Sequence, residues 1–264
     1  MDAARLQAGF GLEGKTAVVT GGSRGIGYMI AEGLLDAGCD VIISARKESQ
    51  VAEAVENLSA KGTIEGIPAD LSTDEGLEHL SAEIAQRWDR VDILCNNAGA
   101  SWGEPVDSFS PVGWDKVMNV NVRGVFFLTQ KLLPLLRNAA SLESPARIIN
   151  TASVNGMTPP DMDTFSYSSS KAACIMLTRH LAKTLADEHM TVNAIAPGPF
   201  DSQMMAFALN DPNARASIAK DVPMGRVGVP DDMAGVAIYL ASAAGSYVTG
   251  ATIPVGGGLS TIHK

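Results

Sequence analysis

A tyrosine and a lysine stand four residues apart in the serine-rich segment SYSSSK, at Tyr167 and Lys171. On a helix this spacing places two side chains on one face, so the phenol and the ammonium group would be neighbours. A phenol transfers its proton poorly near neutral pH, and a nearby positive charge stabilises the phenolate and makes the transfer easier. The pair predicts an acid–base site, although Tyr-x-x-x-Lys also occurs by chance in ordinary helices.

A serine precedes this pair by fourteen residues, where Ser153 ends the run ARIINTAS. The run is typical of a buried strand, and ligands of open α/β sheets bind at the carboxyl ends of the strands. From that position the hydroxyl of Ser153 can hydrogen-bond a substrate carbonyl and polarise it beside the tyrosine.

A glycine-rich turn, TGGSRGIG at residues 20–27, lies between the first strand-like run and the first helical pattern. Glycines allow a tight turn and a close approach of the backbone to a pyrophosphate, and a helix N-terminus attracts phosphate. The alternative is an ordinary strand-to-helix turn. The residues predicted to contact a dinucleotide here are Gly21, Ser23, Arg24, Gly25, Ile26 and Gly27.

The second strand-like run ends in Ala45-Arg46-Lys47, without the acidic residue that would bind the ribose 2′-hydroxyl of NAD(H). A guanidinium group matches the geometry of a phosphate, so Arg46 and Arg24 together can bind a 2′-phosphate. The sequence therefore favours NADP(H) over NAD(H).

Elements that position these residues alternate along the chain, as short apolar runs between longer amphipathic segments. The predicted strands are Thr16–Thr20, Val41–Ser44, Ile64–Pro68, Asp92–Asn96, Arg147–Thr151, Thr191–Ala196 and Ala251–Val255. The predicted helices are Gly25–Ala37, Glu48–Lys61, Asp74–Trp88, Val117–Ala139, Ser170–Glu188 and Asp231–Ala241. This alternation predicts one α/β domain over residues 1–264, with a doubly wound, Rossmann-like fold and a parallel seven-stranded sheet covered by helices on both faces.

Composition narrows the functional classes. The chain has 264 residues, 46% of them hydrophobic, and a formal net charge of −9, which disfavours nucleic acid or an anionic membrane as the main partner. The three cysteines (Cys39, Cys95 and Cys174) and the four histidines are scattered, so we expect buried thiols, no metal site and no Ser–His hydrolase. No leader or membrane-spanning run is recognisable, which predicts a cytoplasmic protein.

Six motifs occur in a fixed order: TGGSRGIG, NNAG at residues 96–99, VNVRG at 120–124, Ser153, YSSSK at 167–171 and NAIAPGPFDS at 193–202. Together they resemble the short-chain dehydrogenase/reductase family, from about Leu12 to Gly258. The resemblance implies an oxidoreductase with a catalytic tetrad of Asn121, Ser153, Tyr167 and Lys171. In that family pattern Tyr167 donates a proton to the carbonyl oxygen and Lys171 also binds the nicotinamide ribose, while Asn121 positions a water of the proton relay.

Further cofactor contacts follow from the same resemblance. It implies adenine contacts at Asp70 and Leu71, and a cleft lining at Asn97, Ala98 and Gly99. It also implies a nicotinamide carboxamide clamp formed by Pro197, Gly198, Phe200 and Ser202. Gly256 stands where relatives commonly carry aspartate. A homotetramer or homodimer is implied, paired through the segments 117–139 and 170–188.

Substrate selection is expected to depend on residues of about 198–229, the predicted lid. The apolar residues expected to line its pocket are Met157, Met162, Phe165, Phe200, Met204, Met205, Phe207, Leu209 and Met224, which can equally be core residues. Detailed likeness to the 3-oxoacyl-carrier-protein reductase branch implies a 3-oxoacyl thioester, and a carrier protein as partner. The alternatives are a dehydrogenase or carbonyl reductase for steroids or other hydrophobic ketones, and a non-catalytic NADP(H)-binding sensor.

Overall fold

Seven parallel strands form a single sheet in the computed structural model, which describes residues 3–201 and 211–260. The strands are β1 (Thr16–Thr20), β2 (Asp40–Ala45), β3 (Ile64–Pro68), β4 (Ile93–Asn96), β5 (Ala146–Thr151), β6 (Met190–Pro197) and β7 (Thr252–Val255). Their order is β3-β2-β1-β4-β5-β6-β7, and every neighbouring pair is parallel. The predicted fold class is therefore confirmed.

Helices cover both faces of this sheet. They are α1 (Ala3–Phe10), α2 (Gly25–Asp36), α3 (Glu48–Leu58), α4 (Asp74–Arg87), α5 (Pro111–Met118), α6 (Val125–Ala139), α7 (Phe165–Leu185), α8 (Pro212–Asp221) and α9 (Pro230–Ala241). One apolar core joins α2, α3 and α9 to the sheet, and a second joins α4, α6 and α7 to its other face. The central strands are buried on both sides, which explains their continuous apolar sequences.

The order of the strands reverses between β1 and β4. From β1 the chain builds outward through β2 and β3, and then returns to place β4 on the other side of β1. A crevice forms at such a switch point, outside the carboxyl ends of the strands. The glycine-rich turn follows β1 and the NNAG motif begins in β4, so the topology brings these two motifs together.

The structure corrects two predicted helices. The segment predicted as 170–188 begins five residues earlier, at Phe165, so Tyr167 and Lys171 both lie within α7. The segment predicted as 117–139 begins at Pro111, where the hydroxyl of Ser110 accepts a hydrogen bond from the backbone N–H of Gly113. It is then interrupted by a π-helical segment, Asn119–Gly124, before α6 begins.

The cysteines are buried, as predicted, and form no disulfide. Burial raises the pKa of the Cys95 thiol to about 12, so this side chain behaves as an apolar residue of the core. Within the described ranges, no helix combines the length and the hydrophobicity needed to cross a membrane.

Candidate active site

A cleft of about 1190 Å³ runs along the carboxyl ends of the strands. The predicted site residues that line it are Gly21, Ser23, Arg24, Gly25, Ile26, Gly27, Arg46, Asp70, Leu71, Asn97, Ala98, Gly99, Ser153, Tyr167, Lys171, Pro197, Gly198 and Phe200. Asn121 lies behind the surface of the cleft. Ser202 falls outside the described residues. The fold thus gathers residues from the loops that follow six different strands.

Tyr167, Lys171 and Ser153 meet where α7 crosses the end of β5. The Nζ atom of Lys171 lies 5.7 Å from the centroid of the Tyr167 ring and donates a 2.6 Å hydrogen bond to the carbonyl of Thr151, the last residue of β5. Lys171 is 4% exposed, whereas Tyr167 is half-buried and open to the cleft. The buried strand therefore holds the lysine in place beside the accessible phenol.

Ser153 is buried two residues beyond the end of β5. Its Oγ accepts a 3.1 Å hydrogen bond from the backbone N–H of Asn155, and Ser153 is thereby the N-cap of a short 3-10 turn, Val154–Gly156. Because this bond uses Oγ only as an acceptor, the hydroxyl hydrogen of Ser153 stays available to a ligand in the cleft.

Asn121 lies inside the π-helical segment, and its side chain is 1% exposed. Its Nδ2 donates to the carbonyl of Ala100 and to Oγ of Ser170, both at 2.9 Å, and its Oδ1 accepts from the backbone N–H of Ala100 at 2.8 Å. Ser170 in turn donates to the carbonyl of Tyr167 at 2.7 Å. Both amide hydrogens of Asn121 are thus used within the protein, in contacts that connect the loop after β4 to α7.

The glycine-rich turn packs too tightly against the NNAG loop for side chains. A Cβ on Gly27 would lie 2.3 Å from the carbonyl oxygen of Gly21 and 2.4 Å from Nδ2 of Asn97. Gly21 also has a φ of +66°, which favours glycine. Oγ1 of Thr20 accepts hydrogen bonds from the backbone N–H groups of Asn97 and Ala98, which fixes the two loops together.

The N-terminus of α2 borders the cleft without a side-chain cap, because Arg24 occupies the N-cap position. An uncapped helix N-terminus supplies free N–H groups and the positive end of the helix dipole. A phosphate would satisfy both.

Positive charge collects at this end of the cleft. Arg24 and Arg46 are exposed there, and neither forms a salt bridge with a carboxylate of the described residues. Lys47, which the sequence interpretation left out, lines the cleft beside them. Burial acts to raise the pKa of Asp70, but hydrogen bonds from Ser72 and the charge of Arg46 outweigh it and hold that pKa below its ordinary value.

The predicted apolar pocket is only partly present. Met162 lines the cleft, but the ring of Phe200 is 2% exposed and packs over Gly228. Met157 and Met224 are exposed and lie outside the lining, and Phe165 faces a smaller outer cavity. Four residues of the predicted pocket fall outside the described part of the chain: Met204, Met205, Phe207 and Leu209.

Several lining residues were missed by the sequence interpretation: Trp102, Val112, Lys116, Asn155, Ile218 and Leu259. They come from separate loops and helices, and no local pattern connects them. A polar cluster with the composition of a metal site is not found in the described residues.

Comparison with known proteins places these features in a family. A family model described as "Enoyl-(Acyl carrier protein) reductase" matches residues 21–260. The chain is 50% identical over 249 residues to the rhamnolipids biosynthesis 3-oxoacyl-[acyl-carrier-protein] reductase of Pseudomonas aeruginosa, covering 94% of this chain and 97% of that protein. It is also 38% identical over 252 residues to 3beta-hydroxysteroid dehydrogenase 1 of Eggerthella lenta, covering 94% and 95%.

A solved structure has a very similar fold. The Pseudomonas aeruginosa RhlG/NADP active-site complex superposes with a TM-score of 0.94 at 49% sequence identity, over 96% of this chain and 99% of that chain. Sequence and three-dimensional similarity both extend over nearly the whole chain, so the protein belongs to the short-chain dehydrogenase/reductase family.

Proposed function

We propose that this protein catalyses the NADPH-dependent reduction of a 3-oxoacyl thioester to the 3-hydroxyacyl thioester. The observation that carries the proposal is the convergence of Tyr167, Lys171 and Ser153 in the cleft that the glycine-rich turn also lines. The thioester follows from the 50% identical relative, which is a 3-oxoacyl-[acyl-carrier-protein] reductase.

NADP(H) fits the residues at the other end of this cleft. A Cβ on Gly27 would overlap Gly21 and Asn97, so the turn can pack this closely only with glycine at this position. The compact turn suits a pyrophosphate beside the N-terminus of α2. Arg24 and Arg46, with Lys47, suit a 2′-phosphate, and the structurally similar RhlG binds NADP. When bound, the nicotinamide supplies the hydride that the carbonyl carbon accepts.

The side chains of the protein supply the proton and the orientation. Ser153 donates its free hydroxyl hydrogen to the substrate carbonyl oxygen, because its Oγ already accepts from Asn155. Tyr167 donates its phenolic proton to the same oxygen, so the ketone gains one hydride and one proton and the thioester bond is unchanged. Lys171 donates one ammonium hydrogen to the carbonyl of Thr151, and its other two can bind the ribose hydroxyls and the phenolate.

Asn121 acts one layer behind these groups. Its hydrogen bonds to Ala100 and Ser170 hold the loop after β4 and the first turns of α7 at a constant separation. The family resemblance implies a water of the proton relay at this position. That water would therefore hydrogen-bond to the backbone of the π-helical segment or to the remaining lone pair of Oδ1 of Asn121.

A second candidate function is the oxidation or reduction of steroids or other bulky hydrophobic ketones. It is favoured by the 38% identical steroid dehydrogenase and by the apolar residues Met162, Ile218 and Leu259 in the cleft. The same tetrad would serve this reaction, since the chemistry at the carbonyl is identical.

We also propose the organisation that the family resemblance implies. Residues 1–264 would form one domain, with about 198–229 as its substrate lid, in a cytoplasmic homodimer or homotetramer that receives its substrate on an acyl carrier protein. The exposed apolar side chains of Phe126 on α6 and Met176 on α7 support pairing through these long helices.

The deciding experiment compares initial rates of NADPH and NADH oxidation with a 3-oxoacyl thioester, a short 3-oxoester, a cyclic ketone and a steroid ketone. We expect NADPH with the thioester to give the highest kcat/KM, and Tyr167→Phe to abolish turnover. Faster reduction of the steroid or cyclic ketone would establish the second candidate. Cofactor binding without turnover on any ketone, or full activity of Tyr167→Phe, would overturn the enzymatic proposal.

A further inference from the structure

The substrate half of the cleft contains an aromatic residue to which no role has been assigned. Trp102 belongs to the loop after β4, which lines the cleft continuously from residue 97 to residue 103. Near the start of this loop, a Cβ on Gly99 would lie 3.6 Å from Nζ of Lys171. Three residues of extended chain span at most about 11 Å. The indole is therefore within reach of a chain that extends from a carbonyl bound at Tyr167.

Helix α5 is shaped to receive this indole. Gly113 is buried in α5, and a Cβ there would lie 2.3 Å from both Cδ1 and Nε1 of Trp102. Glycine within a helix destabilises it relative to alanine. The helix thus carries a residue that weakens it, and the space left by the missing side chain is filled by the ring.

A second contact holds the ring on another side. Nζ of Lys116, one turn further along α5, lies 4.3 Å from the centroid of the Trp102 ring. A cation over an aromatic face is attracted by the ring quadrupole. Gly113 and Lys116 together fix the orientation of the indole, and Trp102 is one of the residues that line the cleft.

Apolar residues also line this cleft, at Val112, Met162, Ile218 and Leu259. Val112 and Met162 are 74% and 48% exposed, so both leave apolar surface open to a ligand. A rigid indole among such residues can bury the surface of an extended hydrocarbon chain.

We propose that Trp102 is a specificity-determining residue, whose indole, positioned by Gly113, forms the wall against which the acyl chain of the substrate packs. This inference rests on the proposed function, and it adds a preference for long chains. Each methylene that the wall removes from water stabilises the complex by about 0.8 kcal/mol, which is roughly a fourfold gain in kcat/KM per buried methylene.

The test measures kcat/KM with NADPH for 3-oxoacyl N-acetylcysteamine thioesters of four, eight and twelve carbons. For the unchanged protein we expect kcat/KM to rise with chain length. Trp102→Ala is expected to lower the twelve-to-four-carbon ratio at least tenfold, and Trp102→Phe to give an intermediate ratio. Gly113→Ala, which displaces the indole without touching the substrate, is expected to lower the ratio too.

Trp114 provides a matched control, because it lies on the same helix but faces the outer cavity rather than the cleft. Trp114→Ala is expected to keep the chain-length ratio of the unchanged protein. Equal ratios in the unchanged protein, Trp102→Phe and Gly113→Ala would overturn the role of Trp102 even if Trp102→Ala failed to fold. If the unchanged protein reduced none of the thioesters but did reduce a steroid or cyclic ketone, the proposed function itself would fail.

Discussion

Hydrogen bonds at single residues divide the site into groups that face the ligand and groups that support them. Ser153 and Lys171 each retain donor hydrogens after their contacts with Asn155 and Thr151 are counted. Asn121 retains no amide hydrogen. The first two side chains are therefore suited to contact a substrate or cofactor, and the third to position its neighbours.

Replacing Asn121 tests this division. In Asn121→Ala the backbone N–H and carbonyl of Ala100 lose their partner, which we expect to lower the free energy of unfolding by about 1–3 kcal/mol. We also expect a lower kcat, because Ser170 and the loop after β4 are no longer held. Chemical denaturation and steady-state kinetics measure both effects.

Ser170→Ala removes only one of the three contacts and should give a smaller loss in both measurements. An Asn121→Ala variant with unchanged kcat would show that these contacts do not position the site.

We expect another single residue, Arg46, to set the cofactor preference. Arg46→Asp removes a cation from the end of β2 and adds the carboxylate that a ribose 2′-hydroxyl would accept, so the preference should shift toward NADH. A hydrogen bond to a charged group contributes about 1.5–3 kcal/mol, so the ratio of kcat/KM for NADPH to that for NADH should fall roughly tenfold to a hundredfold. Arg137→Asp, at the C-terminal end of α6 and outside the lining of the cleft, should leave the ratio unchanged. An unchanged ratio in Arg46→Asp would exclude this residue from 2′-phosphate recognition.

At the scale of elements, close helix packing supports the cofactor end of the cleft. Helix α2, whose N-terminus borders the cleft, packs along α9 on the same face of the sheet. The two helices approach closely at Gly33 of α2, where a Cβ would lie 2.5 Å from Cβ of Ala234 in α9. The position of α2 therefore depends on small residues at this crossing.

The contact between Gly33 and Ala234 can be tested with a destabilising substitution and a second substitution that should compensate for it. Gly33→Ala gains about 1 kcal/mol of helix propensity but overpacks the contact at a cost of about 1–3 kcal/mol, so we expect a net loss of stability. Adding Ala234→Gly should recover part of that loss, with a coupling free energy of at least about 0.5 kcal/mol. Thermal or chemical unfolding of the two single variants and the double variant measures it.

Gly235 is the matched control, since a Cβ there meets no atom within 4 Å. Gly235→Ala should therefore be neutral or stabilising. Strictly additive effects in the double variant would contradict the proposed contact.

At the scale of the whole molecule, a buried carboxylate connects two strands of the sheet that are far apart in the sequence. Asp92, just before β4, is 4% exposed. It accepts hydrogen bonds from Nζ of Lys15 at 2.9 Å and from both the backbone N–H and Oγ1 of Thr16 at 3.1 Å. These contacts join the beginnings of β1 and β4, the two strands between which the sheet order reverses.

Asp92→Ala should therefore destabilise the molecule strongly. It removes the charged acceptor from Lys15 and from the backbone N–H of Thr16, and the loss of a buried acceptor of this kind costs about 1–3 kcal/mol. The midpoint of chemical denaturation should fall accordingly. Glu188→Ala, which breaks the surface pair with Arg137, should shift the midpoint much less. Equal shifts would show that the buried network contributes no more than a surface pair.

The sequence by itself determined the strands, the fold class and the family. Strand positions follow from apolar runs that must be buried on both faces, and residues such as Tyr167 and Lys171 are related by local helical spacing, which short segments of chain encode. The glycine-rich turn was equally predictable, because Gly21 has a positive φ and a Cβ on Gly27 would overlap Gly21, and both requirements arise within the turn itself.

Only the tertiary structure decided how residues from separate elements share the cleft. The π-helical segment around Asn121 has an extra residue in its turn, and the contacts with Ala100 and Ser170 that accompany it come from distant parts of the chain. The placing of Trp102 against Gly113 likewise depends on how a loop closes on a helix. Such contacts form when the whole chain packs, so no pattern within a short segment could predict them.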